Sequence, residues 1–177
     1  MIETLREIVA TVGERKIIWG VGGSLLLSFH GLVQHPNDID LLVNEEDALW
    51  FNKKLELLGT SLEAKSLRPF RTSYFAKFRV GGFNVDSMGG FAIEHEEGVY
   101  RLPFDENSVV GRVEGIPLCS LEDWYILYML IPNRQDKAAR IEEHFNKNGV
   151  KHPMLLARAL NQPLPHEIKA KVEKLLW

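Results

Sequence analysis

The chain has 177 residues, 45% of them hydrophobic and 25% charged, with a formal net charge of −3 and one cysteine. Those values describe a globular chain with a core of its own and exclude the disordered, collagen-like and disulfide-stapled classes. A pI near 6.1 is unlike a protein coated with positive charge for nucleic acid, though it leaves room for a local basic patch.

Leu5, Ile8, Val9 and Val12 recur at helical spacing and Gly13 follows as a stop, which predicts a helix over 2–13. Charges run throughout this N-terminal segment, so it does not read as a signal peptide. No apolar run is long enough to span a bilayer, and the expected compartment is the cytoplasm, with no membrane contact. Residues 16–21 form a short apolar strand, and 24–30 a helix that begins straight after glycines. A second strand covers 38–44, where Leu41, Leu42 and Val43 predict burial on both faces. Ala48, Phe51, Leu55 and Leu58 give a helical stripe over 45–58.

Tyr74, Ala76, Phe78 and Val80 alternate along one face of 72–80. Gly81-Gly82 follows, then 83–88, which is a hairpin with a two-residue turn of positive-φ glycines. That turn pairs Val80 with Phe83 and Phe78 with Val85, and sets Asp86 opposite Lys77. Residues 91–119 read as further short strands and turns, with Glu94, Glu96 and Glu97 near a solvated tip. Ser120 with Asp123 is a capping-box pattern opening a helix over 121–131 that is apolar nearly all round and so buried. An amphipathic helix over 135–147 turns Ala138, Ile141 and Phe145 inward, and two short helices near 153–160 and 165–176 finish the chain. The expected organisation is a core over 1–119 and a helical C-terminal portion over 120–177, packed on it as one unit.

The chemistry concentrates in IIWGVGGSLLLSFHGLVQHPNDIDLLV. A strand ending in Gly22-Gly23-Ser24 and turning into a helix exposes backbone N–H groups that favour an anion, and Ser24 adds a hydroxyl. Two familiar phosphate loops are excluded: a dinucleotide fingerprint counted from Gly20 requires glycine where Leu25 stands, and no Gly-Lys-Ser/Thr tripeptide exists. Asp38 and Asp40 are two apart at a strand start, so both point to one face. Read alone, they are equally an Asx turn after Pro36-Asn37 or a carboxylate pair for a hard cation such as Mg²⁺. Asp86 adds a third acid. Three acids beside a phosphate cradle are what two-metal phosphoryl transfer requires. The six histidines show no i,i+4 pairing, so no helical histidine metal site is expected, and Cys119 reads as a small buried hydrophobe.

Gly22-Gly23-Ser24, thirteen residues, then Asp38-Ile39-Asp40, with Asp86 in a later strand, resembles the signature of the DNA-polymerase-β-like nucleotidyltransferase superfamily. The likeness covers roughly residues 14–90. Downstream, the segment from Ile116 to Asp123, a buried helix, then Arg134, Asp136 and Lys137 is similar to small bacterial stand-alone members, relatives of abortive-infection toxins and of antibiotic-modifying enzymes. In those relatives a lysine often sits five residues after the helix-start aspartate; here that place is Tyr128, and the Arg/Asp/Lys spacing is one residue tighter.

The resemblance implies an α/β (α+β) nucleotidyltransferase fold: a short mixed β-sheet with helices on one side and a helical C-terminal portion. It implies that Asp38, Asp40 and Asp86 hold Mg²⁺ or Mn²⁺ and carry catalysis, and that Gly22, Gly23 and Ser24 bind the β- and γ-phosphates of an NTP. A nucleoside monophosphate then moves to an acceptor (a small molecule, a tRNA end or a protein), and pyrophosphate is released. An antitoxin-type protein is a further expected partner. The alternative is a catalytically idle domain of the same fold that binds a nucleotide or a protein. On the derived hairpin face, Lys77 is either a phosphate ligand or the ion-pair partner of Asp86. Arg79 reads as a solvated residue rather than a phosphate ligand, Arg134 as a structural ion pair with Asp136 or a helix terminus rather than a substrate contact, and His30 and His35 as incidental loop histidines rather than base contacts.

Overall fold

The computed structural model describes residues 1–177. Helix α1 (Ile2–Val12) buries Leu5, Ile8 and Val12 and stops at Gly13, whose φ is 66°. Strand β1 (Trp19–Gly22) leads directly into helix α2 (Gly23–Phe29), and β2 (Ile39–Val43) follows. The first strand starts three residues later than its apolar run suggests, because the Ile17 amide turns back to the Arg15 carbonyl at 3.0 Å. A single 3₁₀ turn (Glu45–Asp47) precedes helix α3 (Ala48–Glu56).

The hairpin consists of β4 (Tyr74–Val80) and β5 (Phe83–Gly89), with Gly81 and Gly82 both at positive φ. Its register is the one derived from the glycines: Val80 opposite Phe83, Phe78 opposite Val85, Lys77 opposite Asp86. Short strand β3 (Thr60–Leu62) pairs along β4 and is exposed at all three residues, so no burial alternation announces it. Strands β6 (Ala92–His95) and β7 (Gly98–Arg101) make a separate hairpin whose tip carries Glu96 and Glu97, whereas Glu94 pairs with Arg71. Strands β8 (Val109–Val113) and β9 (Ile116–Cys119) complete the β structure.

The main sheet is longer than the short sheet expected. It has seven strands in the order β3-β4-β5-β2-β1-β9-β8. The added width comes from β9, which joins β1 in parallel through Val21 and Leu118 and brings β8 with it. Apolar residues of β2 face both sides, and the pleat sends Ile39 and Leu41 one way and Asp40 the other.

Helix α4 (Leu121–Leu130) is buried from Leu121 to Tyr128 and is capped by Ser120, whose Oγ accepts from the Asp123 amide at 3.0 Å. Helices α5 (Gln135–Asn148), α6 (Pro153–Ala159) and α7 (His166–Leu176) follow. One continuous apolar cluster runs from Leu5 to Val172, so the last helix contributes to the same core as the first. Arg158 on α6 ties the layers together. It donates to Asp123 on α4 at 3.1 Å and to Asp105 at 3.1 Å. Burial pushes the Asp123 carboxyl up to about 6 even with Arg158 beside it.

Candidate active site

Four neighbouring strands set four residues in one row. Gly22 on β1 is registered with Asp40 on β2, Asp40 with Asp86 on β5, and Asp86 with Lys77 on β4. The two carboxylates therefore stand on adjacent parallel strands, on the face of β2 opposite Ile39 and Leu41. Asp38 lies two residues before Asp40 and opens onto the same cavity.

That cavity has a volume of about 490 Å³. Asp38, Asp40 and Asp86 are its acids; Lys65, Arg134 and Lys137 are its cations; Ser24, Asn37 and Thr72 add neutral polar groups. Phe70, Phe75, Phe91, Trp124 and Tyr128 supply aromatic surface. Burial, then Asp86 and Asp38, push the Asp40 carboxyl up to about 7. Asp86 is also raised by burial, against the pull of Lys77, whose Nζ lies 3.6 Å from Oδ1. Burial and then Arg134 lower Lys137, whose ammonium stands 5.3 Å from the centre of the Tyr128 ring. The electrostatics describe a carboxylate cluster short of positive charge at its centre, with cations around the rim.

No family model matches the sequence, and no curated protein matches it. Among solved structures, the candidate nucleotidyltransferase TM1012 from Thermotoga maritima matches with a TM-score of 0.61 at 24% identity, over 83% of this chain and 93% of its own. The chain has the polymerase-β-like nucleotidyltransferase fold. The antibiotic-resistance factor ANT(2″)-Ia matches in two structures, each with a TM-score of 0.57. Identities are 17% and 15%, and the matches cover 99% and 98% of this chain and 88% and 95% of the other. One of the two is a complex with adenylyl-2″-tobramycin. At these identities the likeness is one of fold.

On this nucleotidyltransferase fold, Ser24, Asp38, Asp40 and Asp86 line one cavity. Gly22 and Gly23 have a packing role that the sequence does not reveal. A Cβ on Gly22 would fall 2.2 Å from the Trp124 ring, and one on Gly23, at φ +62°, would fall 1.9 Å from Asp40 Oδ2. Lys77 is held by Asp86 at the edge of the cavity and does not line it. Arg134 stands at the start of α5, the helix-terminus place expected of it, and only the Asp136 pairing is corrected. It makes no bridge to Asp136, donates to the Asn133 carbonyl at 3.1 Å and lines the cavity. His30 packs against His144, and neither His30 nor His35 reaches the cavity. Arg79 is exposed and donates to Asn84, as a solvated residue should.

Sequence reading missed Lys137 and the aromatic wall. Lys137 was named only as part of the Arg134, Asp136 and Lys137 run; what places it at the site is its ammonium standing over the Tyr128 ring on the cavity wall.

The donor set fits a hard divalent cation. It contains carboxylates and no histidine or thiol, and Asp40 is raised in part by its two acidic neighbours, a repulsion that a cation between them removes. The carboxylates do not close into a three-ligand cage by themselves. A cation held here would need oxygen ligands beyond these carboxylates, as Mg²⁺ commonly does.

Proposed function

We propose that this chain is a metal-dependent nucleotidyltransferase that moves a nucleoside monophosphate from an NTP to a hydroxyl acceptor. The observation that carries the reading is the registered pair Asp40–Asp86 with Asp38 on the same cavity, between Ser24 and the Lys137–Arg134 rim. The ANT(2″)-Ia complex with adenylyl-2″-tobramycin supports it, since that protein shares the fold and holds a nucleotidylated alcohol.

Asp38, Asp40 and Asp86 hold Mg²⁺ or Mn²⁺. When bound, the cation neutralises charge on the reacting phosphate and lowers the pKa of a coordinated hydroxyl. Ser24 and the Gly22-Gly23 turn receive the β- and γ-phosphates, and Arg134 and Lys137 set positive charge against them. Asp86 takes the acceptor proton while the acceptor oxygen bonds to the α-phosphorus. The bond from that phosphorus to the β-bridging oxygen breaks, and its electron pair leaves with pyrophosphate. A carboxylate raised by burial is a better base near neutral pH than an exposed one, and Lys77 keeps it ionised.

The test uses label position. The protein is incubated with Mg²⁺, a cell extract as acceptor source, and NTP labelled at either the α- or the γ-phosphate. The reading expects label in a nucleotidylated product distinct from NTP, NDP and NMP, from the α-labelled NTP only, dependent on the added protein and abolished by Asp40→Asn and by Asp86→Asn. Product labelled from the γ-phosphate, or no product with any NTP, contradicts it.

A further inference from the structure

We infer that the acceptor is a neutral or anionic hydroxyl compound with a flat aromatic group, received on the β4–β5 side of the cavity, and that polycations are excluded. The inference rests on the nucleotidyltransferase reading and adds the acceptor's chemical class to it.

Strand order divides the cavity. Ser24 follows β1, on one side of Asp40, whereas β5 and β4 lie on the other. With phosphates at Ser24, the acceptor approaches Asp86 from the hairpin side. There the next registered pair along the same face is Phe75 and Met88, two residues from Lys77 and Asp86. Beyond them Phe70 and Phe91 meet edge to face, with ring centres 6.1 Å apart. This wall is fixed in place: the Arg71 amide donates to the Ala92 carbonyl at 2.8 Å and the Glu94 amide to the Pro69 carbonyl at 2.7 Å. A rigid aromatic surface beside a proton acceptor suits a compound that carries both a flat ring and a hydroxyl.

Charge argues the same way. An acceptor with several ammonium groups requires carboxylates to receive them. The cavity has three, and all belong to the cation site. On the hairpin side the only acid is Asp86, and it already faces Lys77, whose ammonium also stands 5.7 Å from the centre of the Phe75 ring. Lys65, Arg134 and Lys137 complete a rim that repels a polycation.

The experiment is ligand-observed NMR on the full chain with Mg²⁺ and a saturating α,β-methylene NTP analogue. Adenosine and chloramphenicol are the neutral aromatic probes, and tobramycin is the polycation. At least one neutral probe should bind at least about tenfold more tightly than tobramycin. Phe75→Ala should weaken that probe about tenfold, and Phe75→Leu by less, with analogue binding retained. Tobramycin binding as tightly as the neutral probes, neither neutral probe binding, or both Phe75 variants binding like wild type would each overturn the inference. Failure of the analogue itself to bind overturns the transferase reading and this inference with it, and is distinguished by appearing before any probe is added.

Discussion

Gly23 lies so close to Asp40 that a Cβ at position 23 would fall 1.9 Å from Oδ2 and 2.7 Å from the carboxyl carbon. The backbone there is also at φ +62°, a conformation that side chains resist. Two separate demands, space and backbone angle, therefore require glycine beside the acid at the centre of the row. Gly23→Ala is expected to destabilise the fold by about 1–3 kcal/mol and to displace the Asp40 carboxylate. Urea unfolding reads the first effect, and loss of Mg²⁺-dependent NTP binding in the remaining folded protein reads the second.

Asp40 ties stability to pH. Its carboxyl titrates near 7 in the folded chain against an ordinary value of 3.8. The folded state holds that proton more tightly than the unfolded state does. Its contribution is therefore full below about pH 4 and is lost as pH rises through about 7. Without metal, Asp40→Asn should be more stable than wild type at pH 8 by on the order of 1–3 kcal/mol, with the gap closing towards pH 4. Added Mg²⁺ should raise the melting temperature of wild type at pH 8 and leave the variant nearly unchanged. A pH-independent gap contradicts the assignment.

These two residues show what was legible in the sequence. The Asp38-Ile39-Asp40 run marked the acids, and alternation beside Gly81-Gly82 determined the hairpin register down to Lys77 opposite Asp86. The glycines were legible as a turn between strand and helix but not as partners of Asp40 and Trp124, because that contact joins residues far apart in the chain. Phe70 belongs to a segment with no periodicity, so nothing local tied it to the wall it forms with Phe91. On α5 the apolar stripe of Ala138, Ile141 and Phe145 was readable, whereas the reach of its first turn over the cavity depends on where α4 ends.

Arg134 and Lys137 are expected to act on nucleotide affinity and little on folding. Arg134 is exposed and Lys137 half-buried, and neither has a carboxylate bridge. Arg134→Ala and Lys137→Ala should each weaken NTP binding about tenfold. Stability should move by no more than about 1 kcal/mol. Equal affinity for NTP in all three proteins removes both residues from the site.

Arg158 and Asp123 give the opposite pattern, a large folding effect away from the cavity. Asp123 is almost wholly buried, and its main cationic partner is Arg158. Arg158→Met leaves that acid unpaired and should cost about 3 kcal/mol at pH 8. The deficit should shrink as pH falls through about 6, where Asp123 becomes protonated in both folded proteins. Adding Asp123→Asn should recover part of the loss, as a double-mutant cycle in urea would read.

The central claim is that the Asp38, Asp40 and Asp86 cluster holds a cation for an NTP, and calorimetric titration tests it most directly. Each of the four NTPs is titrated into wild type and Asp40→Asn, with and without Mg²⁺. The account predicts binding of at least one NTP that requires Mg²⁺ and disappears in Asp40→Asn. Binding that is indifferent to Mg²⁺ and to the substitution, or no binding of any NTP in Mg²⁺, would contradict it.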